Sequence, residues 1–167
     1  MSTLKVNELQ HNNGTSAVVI NNSGQMTLPA IPFLRMQVSS TTSITLNSGK
    51  GTVPFNNVID SRGITHNTST YKFQVPVAGL YHFSGSVRFD NASSYLWWKI
   101  EDGTGGSPQA SALVLQNGNS GSFITSSGSL VVPLSASTDY AIILGDGGNT
   151  TANVQAAQTF MTVYLVG

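Results

Sequence analysis

The chain contains no cysteine, which removes disulfide cross-links, thiolate zinc sites and cysteine nucleophiles. Charge is nearly as scarce: 8% of residues are Asp, Glu, Lys or Arg, where an ordinary soluble protein has roughly 25%. Seven basic residues balance seven acidic ones, so nothing steers the chain towards nucleic acid or an anionic membrane surface. No apolar stretch approaches the ~20 residues of a membrane span, and the opening MSTLKVNELQ holds no apolar run of signal-peptide length. These absences lead to the expectation of a protein made soluble in a cytosol and not inserted in a membrane. Its Asn-x-Ser/Thr sequons at Asn13, Asn21, Asn67, Asn91 and Asn149 are then chance products of an Asn-, Ser- and Thr-rich chain, left unmodified.

What is present is apolar, uncharged and rich in turns. At 167 residues and 17.6 kDa the chain is long enough for one compact domain with a short extension. Hydrophobic residues make up 40%, and the rest of the surface must be Ser, Thr, Asn and Gly, which favours strands and turns over surface helices. So little charge leaves a monomer poorly protected against association. Self-assembly is therefore expected.

The strand signal is strongest from Tyr71 to Asp90. Tyr71, Phe73, Val75 and Val77 alternate with Lys72 and Gln74; after Gly79, Tyr81, Phe83, Gly85, Val87 and Phe89 alternate with His82, Ser84, Ser86, Arg88 and Asp90. This period of two predicts two strands, each with one buried and one wet face, joined near Pro76, which lacks the amide donor of a central ladder. Further strands are predicted at Phe33–Val38, Ser43–Leu46, Thr52–Val58, Ser94–Glu101, Ala112–Gln116, Phe123–Thr125, Ser129–Leu134 and Tyr140–Leu144, with a closing run at 159–166. The polar tract 60–70 reads as a loop, and DGTGG at 102–106, NGNSGS at 117–122 and GDGGN at 145–149 read as turns. About eight to ten short strands with turns between them, and no helix of any length, specify an all-β sandwich.

Two strands carry large apolar groups on both faces. In YLWWKI, Tyr95 and Trp97 face one way and Leu96, Trp98 and Ile100 the other; in the last strand Phe160, Tyr164 and Val166 oppose Met161, Val163 and Leu165. A two-sheet sandwich covers only inner faces, so both outer faces are expected to meet another subunit. Adjacent strand residues point to opposite sides, which favours Trp97 and Trp98 as one core and one interface residue over a shared sugar-stacking platform. Tyr81, Phe83, Trp97, Trp98, Phe160 and Tyr164 are thus the candidates for core and subunit interface.

Residues 1–32 form a different region. Leu4–Leu9, Ser16–Ile20 and Gln25–Leu28 are short extended pieces broken by HNNG and NNSG. Each is too short to bury a face within one chain. The region reads either as a loose tail or as a β-structured stalk and anchor ordered by sister chains or a larger assembly, preceding a head at 33–167.

The order of motifs in that head resembles the complement C1q and tumour necrosis factor-like jelly roll: VPFNNVI at 53–59, Gly63, Tyr71–Lys72–Phe73, VPVAGLYHFS at 75–84, SGSLVVPL at 127–134 and TFMTVYLV at 159–166. The resemblance covers about 33–167 and implies a jelly-roll β-sandwich assembled as a homotrimer. At Ser137–Thr138–Asp139–Tyr140 the chain departs from the Gly-Asp of that family, which argues against the calcium role of that aspartate in some members. The segment STLKVNELQHNNGTSAVVINNSGQMTLP is similar to leaders of virion and tail-fibre proteins of tailed bacteriophages. That likeness implies a partner among other virion proteins and a place on the virion surface, on tail fibre or capsid.

Catalytic chemistry finds no support in the residues. Glu101 and Asp102 are adjacent and point to opposite faces, whereas glycoside hydrolysis needs two carboxylates flanking one bond. His11, His66 and His82 lack ligand spacing. No catalytic, metal or cofactor-binding residue is assigned. The leading expectation is a non-enzymatic virion protein with a trimeric head that adheres to host-surface polysaccharide through uncharged loops not specified by the sequence; the alternative is a soluble microbial glycan-binding module outside any virion.

Overall fold

The computed structural model describes residues 8–10, 16–27, 31–90, 95–102, 108–117, 123–146 and 151–167. The chain divides into two compact units, Met1–Ile31 and Pro32–Gly167.

In the first unit β1 (Glu8–Gln10), β2 (Ser16–Ile20) and β3 (Met26–Thr27) form one antiparallel sheet in the order β1-β2-β3. Asn21 closes the β2–β3 turn: its Oδ1 accepts from the backbone amides of Ser23 at 2.9 Å and Gln25 at 3.0 Å, and Gly24 takes φ +77°. The sequence led us to expect strand partners from other chains, yet the pieces pair with one another. What pairing does not supply is cover: Leu9 is 56% and Met26 73% exposed.

The second unit is a two-sheet sandwich. Its larger sheet has seven strands: β4 (Phe33–Gln37), β5 (Thr42–Thr45), β7 (Asn57–Arg62), β10 (Gly79–Asp90), β13 (Phe123–Leu134), β15 (Thr151–Val154) and β16 (Phe160–Leu165). The smaller sheet contains β6 (Lys50–Thr52), β8 (Thr65–Asn67), β9 (Lys72–Gln74), β11 (Tyr95–Asp102), β12 (Pro108–Asn117) and β14 (Tyr140–Asp146). All pairings are antiparallel.

Strand β10 organises the larger sheet. Along its full length it pairs with β13, from Gly79↔Leu134 to Asp90↔Phe123, and on its other edge with β16, from Tyr81↔Leu165 to Ser86↔Phe160. Alternation puts Tyr81, Phe83, Val87 and Phe89 inside, all 0% exposed, with Leu34, Met36, Met161 and Val163 beside them. Phe73, Leu96, Trp98, Ile100, Tyr140, Ile142 and Leu144 face them from the smaller sheet. Phe73 joins the layers, its ring 5.9 Å from both Phe83 and Tyr140. Two buried hydroxyls find backbone partners: Tyr81 donates to the Val77 carbonyl at 2.9 Å, and Tyr140 accepts from the Ser135 amide at 2.8 Å.

Several sequence expectations are corrected. Tyr71 and Val77 do not continue the face of Phe73 and Val75: Tyr71 sits in a turn at φ +60°, with its amide bonded to the Asn67 carbonyl at 2.7 Å, and Val77 is 46% exposed. The tract 60–70 is not all loop, because β7 and β8 run through it; β7 pairs its backbone with β4 while showing no apolar alternation. The strand expected at Thr52–Val58 is instead the end of β6, an irregular stretch and the start of β7. Phe123–Thr125 and Ser129–Leu134 are one continuous strand. Strand β15 is absent from the sequence reading; among the described residues no helix occurs beyond a single 3-10 turn at Ala156–Gln158, as the sequence led us to expect. The turns expected at 103–106, 118–122 and 147–149 lie outside the described residues.

Candidate functional site

The antiparallel register places outward-facing residues of the larger sheet in rows. One row crosses five strands: Arg62, Phe33, Tyr164, His82 and Val131, set by Phe33↔Arg62, Tyr164↔Phe33, His82↔Tyr164 and His82↔Val131. The row is in side-chain contact along much of its length. The Arg62 guanidinium lies 5.2 Å from the Phe33 ring centre, and the His82 and Tyr164 rings are 4.9 Å apart. The next row towards the strand ends is wholly apolar. Leu80 pairs with Pro133, and mutual backbone bonds to Val166 and Gly167 bring in the chain end.

These groups are open to solvent: Tyr164 38%, Leu80 47%, Val131 53% and Val166 57% exposed. Scattered exposed apolar residues are ordinary, but a contiguous patch of them marks an interaction surface. The opposite end of the face is polar and aromatic. Ser127 donates to Ser86 Oγ at 3.0 Å, and the Arg88 guanidinium lies 4.4 Å from the ring centre of Phe123, itself 52% exposed. Phe160, 49% exposed, stands between Gln37 and Ser86. Burial raises the pKa of Tyr81 behind this face, partly offset by its bond to Val77.

The sequence-predicted residues separate cleanly. Tyr81, Phe83 and Trp98 are 0% exposed core groups, while Phe160 and Tyr164 project from the larger sheet. Trp97 is half-buried on the outer side of the smaller sheet, where its indole lies against Gly145; a Cβ there would sit 2.0 Å from the ring. The Lys99 ammonium is 5.3 Å from the indole centre and pairs with Glu101, which Lys50 also approaches at 3.8 Å. With Lys99 and Glu101 only 13% and 14% exposed, Trp97 finds cover inside its own chain. Two-sided strands therefore have two outcomes here: the C-terminal strand stays open, and Trp97 of β11 is covered by its own neighbours.

The sequence reading missed Leu80, Val131 and Pro133. Leu80 lies next to Gly79, where the alternation begins, and Val131 belongs to the run LVVPL, in which periodicity does not separate inner from outer faces. Register across strands is what assembles them.

Among the described residues no group of three His, Cys, Asp or Glu could hold a metal ion. Asp139 accepts from Gln74 Nε2 at 2.7 Å and shares its hollow with Lys72, so the donors around it do not fit a divalent cation.

The fold and the open sheet face together define a jelly-roll interaction module of the kind shared by C1q and tumour necrosis factor-like proteins. Residues 36–166 match the C1q domain family, and the chain belongs to that family. No curated protein sequence matches the chain. Murine APRIL resembles the structure with a TM-score of 0.62 and 13% identity, over 81% of this chain and 99% of that one. Eiger TNF from S. frugiperda gives 0.61 and 9%, over 82% and 92%. The globular domain of zebrafish complement 1qA gives 0.60 and 18%, over 82% and 98%. At such identities the likeness is one of fold.

Proposed function

We propose that three copies of this chain associate through the outer face of the larger sheet, forming a non-enzymatic adhesion head on a tailed-bacteriophage virion. The observation that carries the assembly is the exposed patch of Tyr164, Leu80, Val131, Val166 and Pro133, built from three segments distant in sequence. Burying it between subunits removes apolar surface from water at about 25 cal/mol per Å². Typical C1q and tumour necrosis factor-like domains are trimeric and non-enzymatic, in keeping with this reading.

The N-terminal unit serves as the anchor to other virion proteins, on tail fibre or capsid, and the head contacts host-surface polysaccharide. Support for the anchor is the separateness of Met1–Ile31 and its exposed Leu9 and Met26, apolar groups that a partner would cover. Multi-angle light scattering at micromolar concentration should give a trimer, and a monomer would overturn the assembly. A chain lacking residues 1–31 should still give a folded trimeric head but fail to join particles. Particles decorated by that truncated head would refute the anchor, and absence of the full chain from purified particles by mass spectrometry would favour a soluble glycan-binding module instead.

A further inference from the structure

A hollow of about 360 Å³ opens on the smaller sheet, away from the proposed subunit interface, lined by Thr65, His66, Asn67, Thr70, Lys72, Gln74 and Asp139. Its volume falls in the ~300–1,000 Å³ range of small-ligand sites. Unlike most such sites, every lining residue is polar, so its ligand must be polar as well.

The hairpin register explains how the groups converge. Thr65 pairs with Gln74 and Asn67 with Lys72, so four polar side chains occupy one side of β8 and β9, while Phe73 is buried on the other. Both borders are fixed. Asn67 Oδ1 accepts from the amides of Ser69 at 2.9 Å and Thr70 at 3.0 Å, which commits its oxygen and leaves the amide nitrogen to donate elsewhere. On the far border the Ser137 amide bonds to the Val75 carbonyl at 3.1 Å, and Gln74 Nε2 donates to Asp139 Oδ1 at 2.7 Å. Among the described residues, two of the three non-glycine positions with positive φ, Tyr71 at +60° and Ser137 at +58°, flank this hollow. Left-handed backbone at such residues is held in place by its surroundings and concentrates at functional sites.

We propose that this hollow binds a neutral sugar residue of a surface polysaccharide, a proposal that rests on the adhesion reading above and gives it a site. The ammonium of Lys72 and the amides of Asn67 and Gln74 donate; the second carboxylate oxygen of Asp139 and the Gln74 carbonyl accept; the Thr65 and Thr70 hydroxyls do both. Adjacent sugar hydroxyls each need one donor and one acceptor, and this set supplies both within one ring's reach. One ammonium against one carboxylate gives no net charge to select an acidic sugar or a phosphate. Hydrolysis is not expected, since the hollow holds a single carboxylate where cleavage needs a pair. With no Phe, Tyr or Trp ring among the lining residues to stack on a sugar, each site binds weakly, with a dissociation constant on the order of 1 mM. Useful attachment then requires several sites on one head, which trimerisation provides.

The test applies the full-length protein to an array of neutral, amino and acidic oligosaccharides and then repeats it with Lys72→Ala and Asp139→Asn, checking each variant by light scattering and thermal unfolding. Binding to neutral oligosaccharides is expected, weakened about ten- to hundredfold in both variants with assembly and melting temperature unchanged. Variants that bind like the parent would place the sugar site elsewhere and overturn this proposal while leaving adhesion intact. Selection of acidic sugars alone would overturn the ligand class. Retention of no oligosaccharide by the parent protein would remove glycan attachment altogether, the assembly being judged separately by the light scattering.

Discussion

The two sheets bury similar inner faces and turn very different outer faces outward. On the larger sheet the outward row runs Phe33, Tyr164, His82, Val131, with Leu80, Pro133 and Val166 beyond it, and most of that apolar surface is open. On the smaller sheet, outward positions among the residues whose side chains are described include Lys50, Lys72, Gln74, Lys99 and Glu101, and the large aromatic group there, Trp97, is packed over Gly145 beside the Lys99–Glu101 pair. Inner faces are alike because both answer to the same core. Outer faces answer to what each side meets, so their contrast is where function is read: one side suited to other copies of the chain, the other to water and polar ligands.

The largest expected effect comes from the shared interior, which sets the scale for both exteriors. Phe83→Ala, at 0% exposure, should destabilise the head by about 3–5 kcal/mol in urea or thermal unfolding. A loss under about 1 kcal/mol would mean that the faces are assigned the wrong way round. Next is Gly145→Ala, whose Cβ would meet the Trp97 indole at 2.0 Å. It should cost about 1–3 kcal/mol through overpacking. Adding Trp97→Ala should recover part of that loss, because the two changes share one contact; strictly additive losses would show that the indole is free to move aside.

The outer faces themselves are compared by charge insertion. Val131→Arg puts a cation in the middle of the apolar patch, whereas Thr52→Arg puts the same cation on the smaller sheet, opposite Ile143. The first should weaken self-association by about tenfold or more, equal to about 1.4 kcal/mol, and the second should leave it unchanged in sedimentation or light scattering. Equal effects would erase the distinction between the two faces.

How much of this was legible in the sequence depends on which physical rule governed each residue. Strand β10 was readable because Tyr81, Phe83, Val87 and Phe89 obey a period of two over a long stretch. Strand β7 was not, since Asp60, Ser61 and Arg62 pair with β4 at a sheet edge and carry no apolar alternation. Tyr71 defeated the same rule from the other side: its position fits the pattern, but the Asn67 turn holds it in a left-handed conformation that periodicity does not register. Periodicity placed Phe160 and Tyr164 on one face of their strand but left open whether that face was core or interface. Their row with Phe33, His82 and Val131 depends on register between strands far apart in the chain. The polar hollow was still less visible, because Thr65, Asn67, Lys72, Gln74 and Asp139 look like ordinary solvated loop residues until the hairpin sets them side by side.

The smallest expected effect tests the smaller sheet alone, through His66. Its ring turns from the hollow's hairpin towards Phe55, whose carbonyl lies 2.6 Å from Nε2, so that nitrogen carries the proton and donates. Burial depresses its pKa, while the Phe55 and Lys72 backbone groups work in the other direction. In the unfolded chain the ring titrates near 6.5. As the pH falls below that value the unfolded state takes up a proton that the folded state resists, so the contribution of His66 is intact above about pH 6.5 and is lost on acidification towards and through the lower folded value. One proton limits the slope to about 1.4 kcal/mol per pH unit, and partial exposure keeps the effect below that limit. Unfolding measured between pH 7 and 5 in the Val131→Arg background, at a concentration low enough to dissociate the weakened assembly, should therefore show falling stability. His66→Gln keeps a donor for Phe55 and removes the titration, so the fall should flatten. An unchanged slope in that variant would assign the acid sensitivity to groups outside the β8–β9 hairpin and would overturn the view that the smaller sheet owes its acid limb to a histidine held neutral beneath a polar surface.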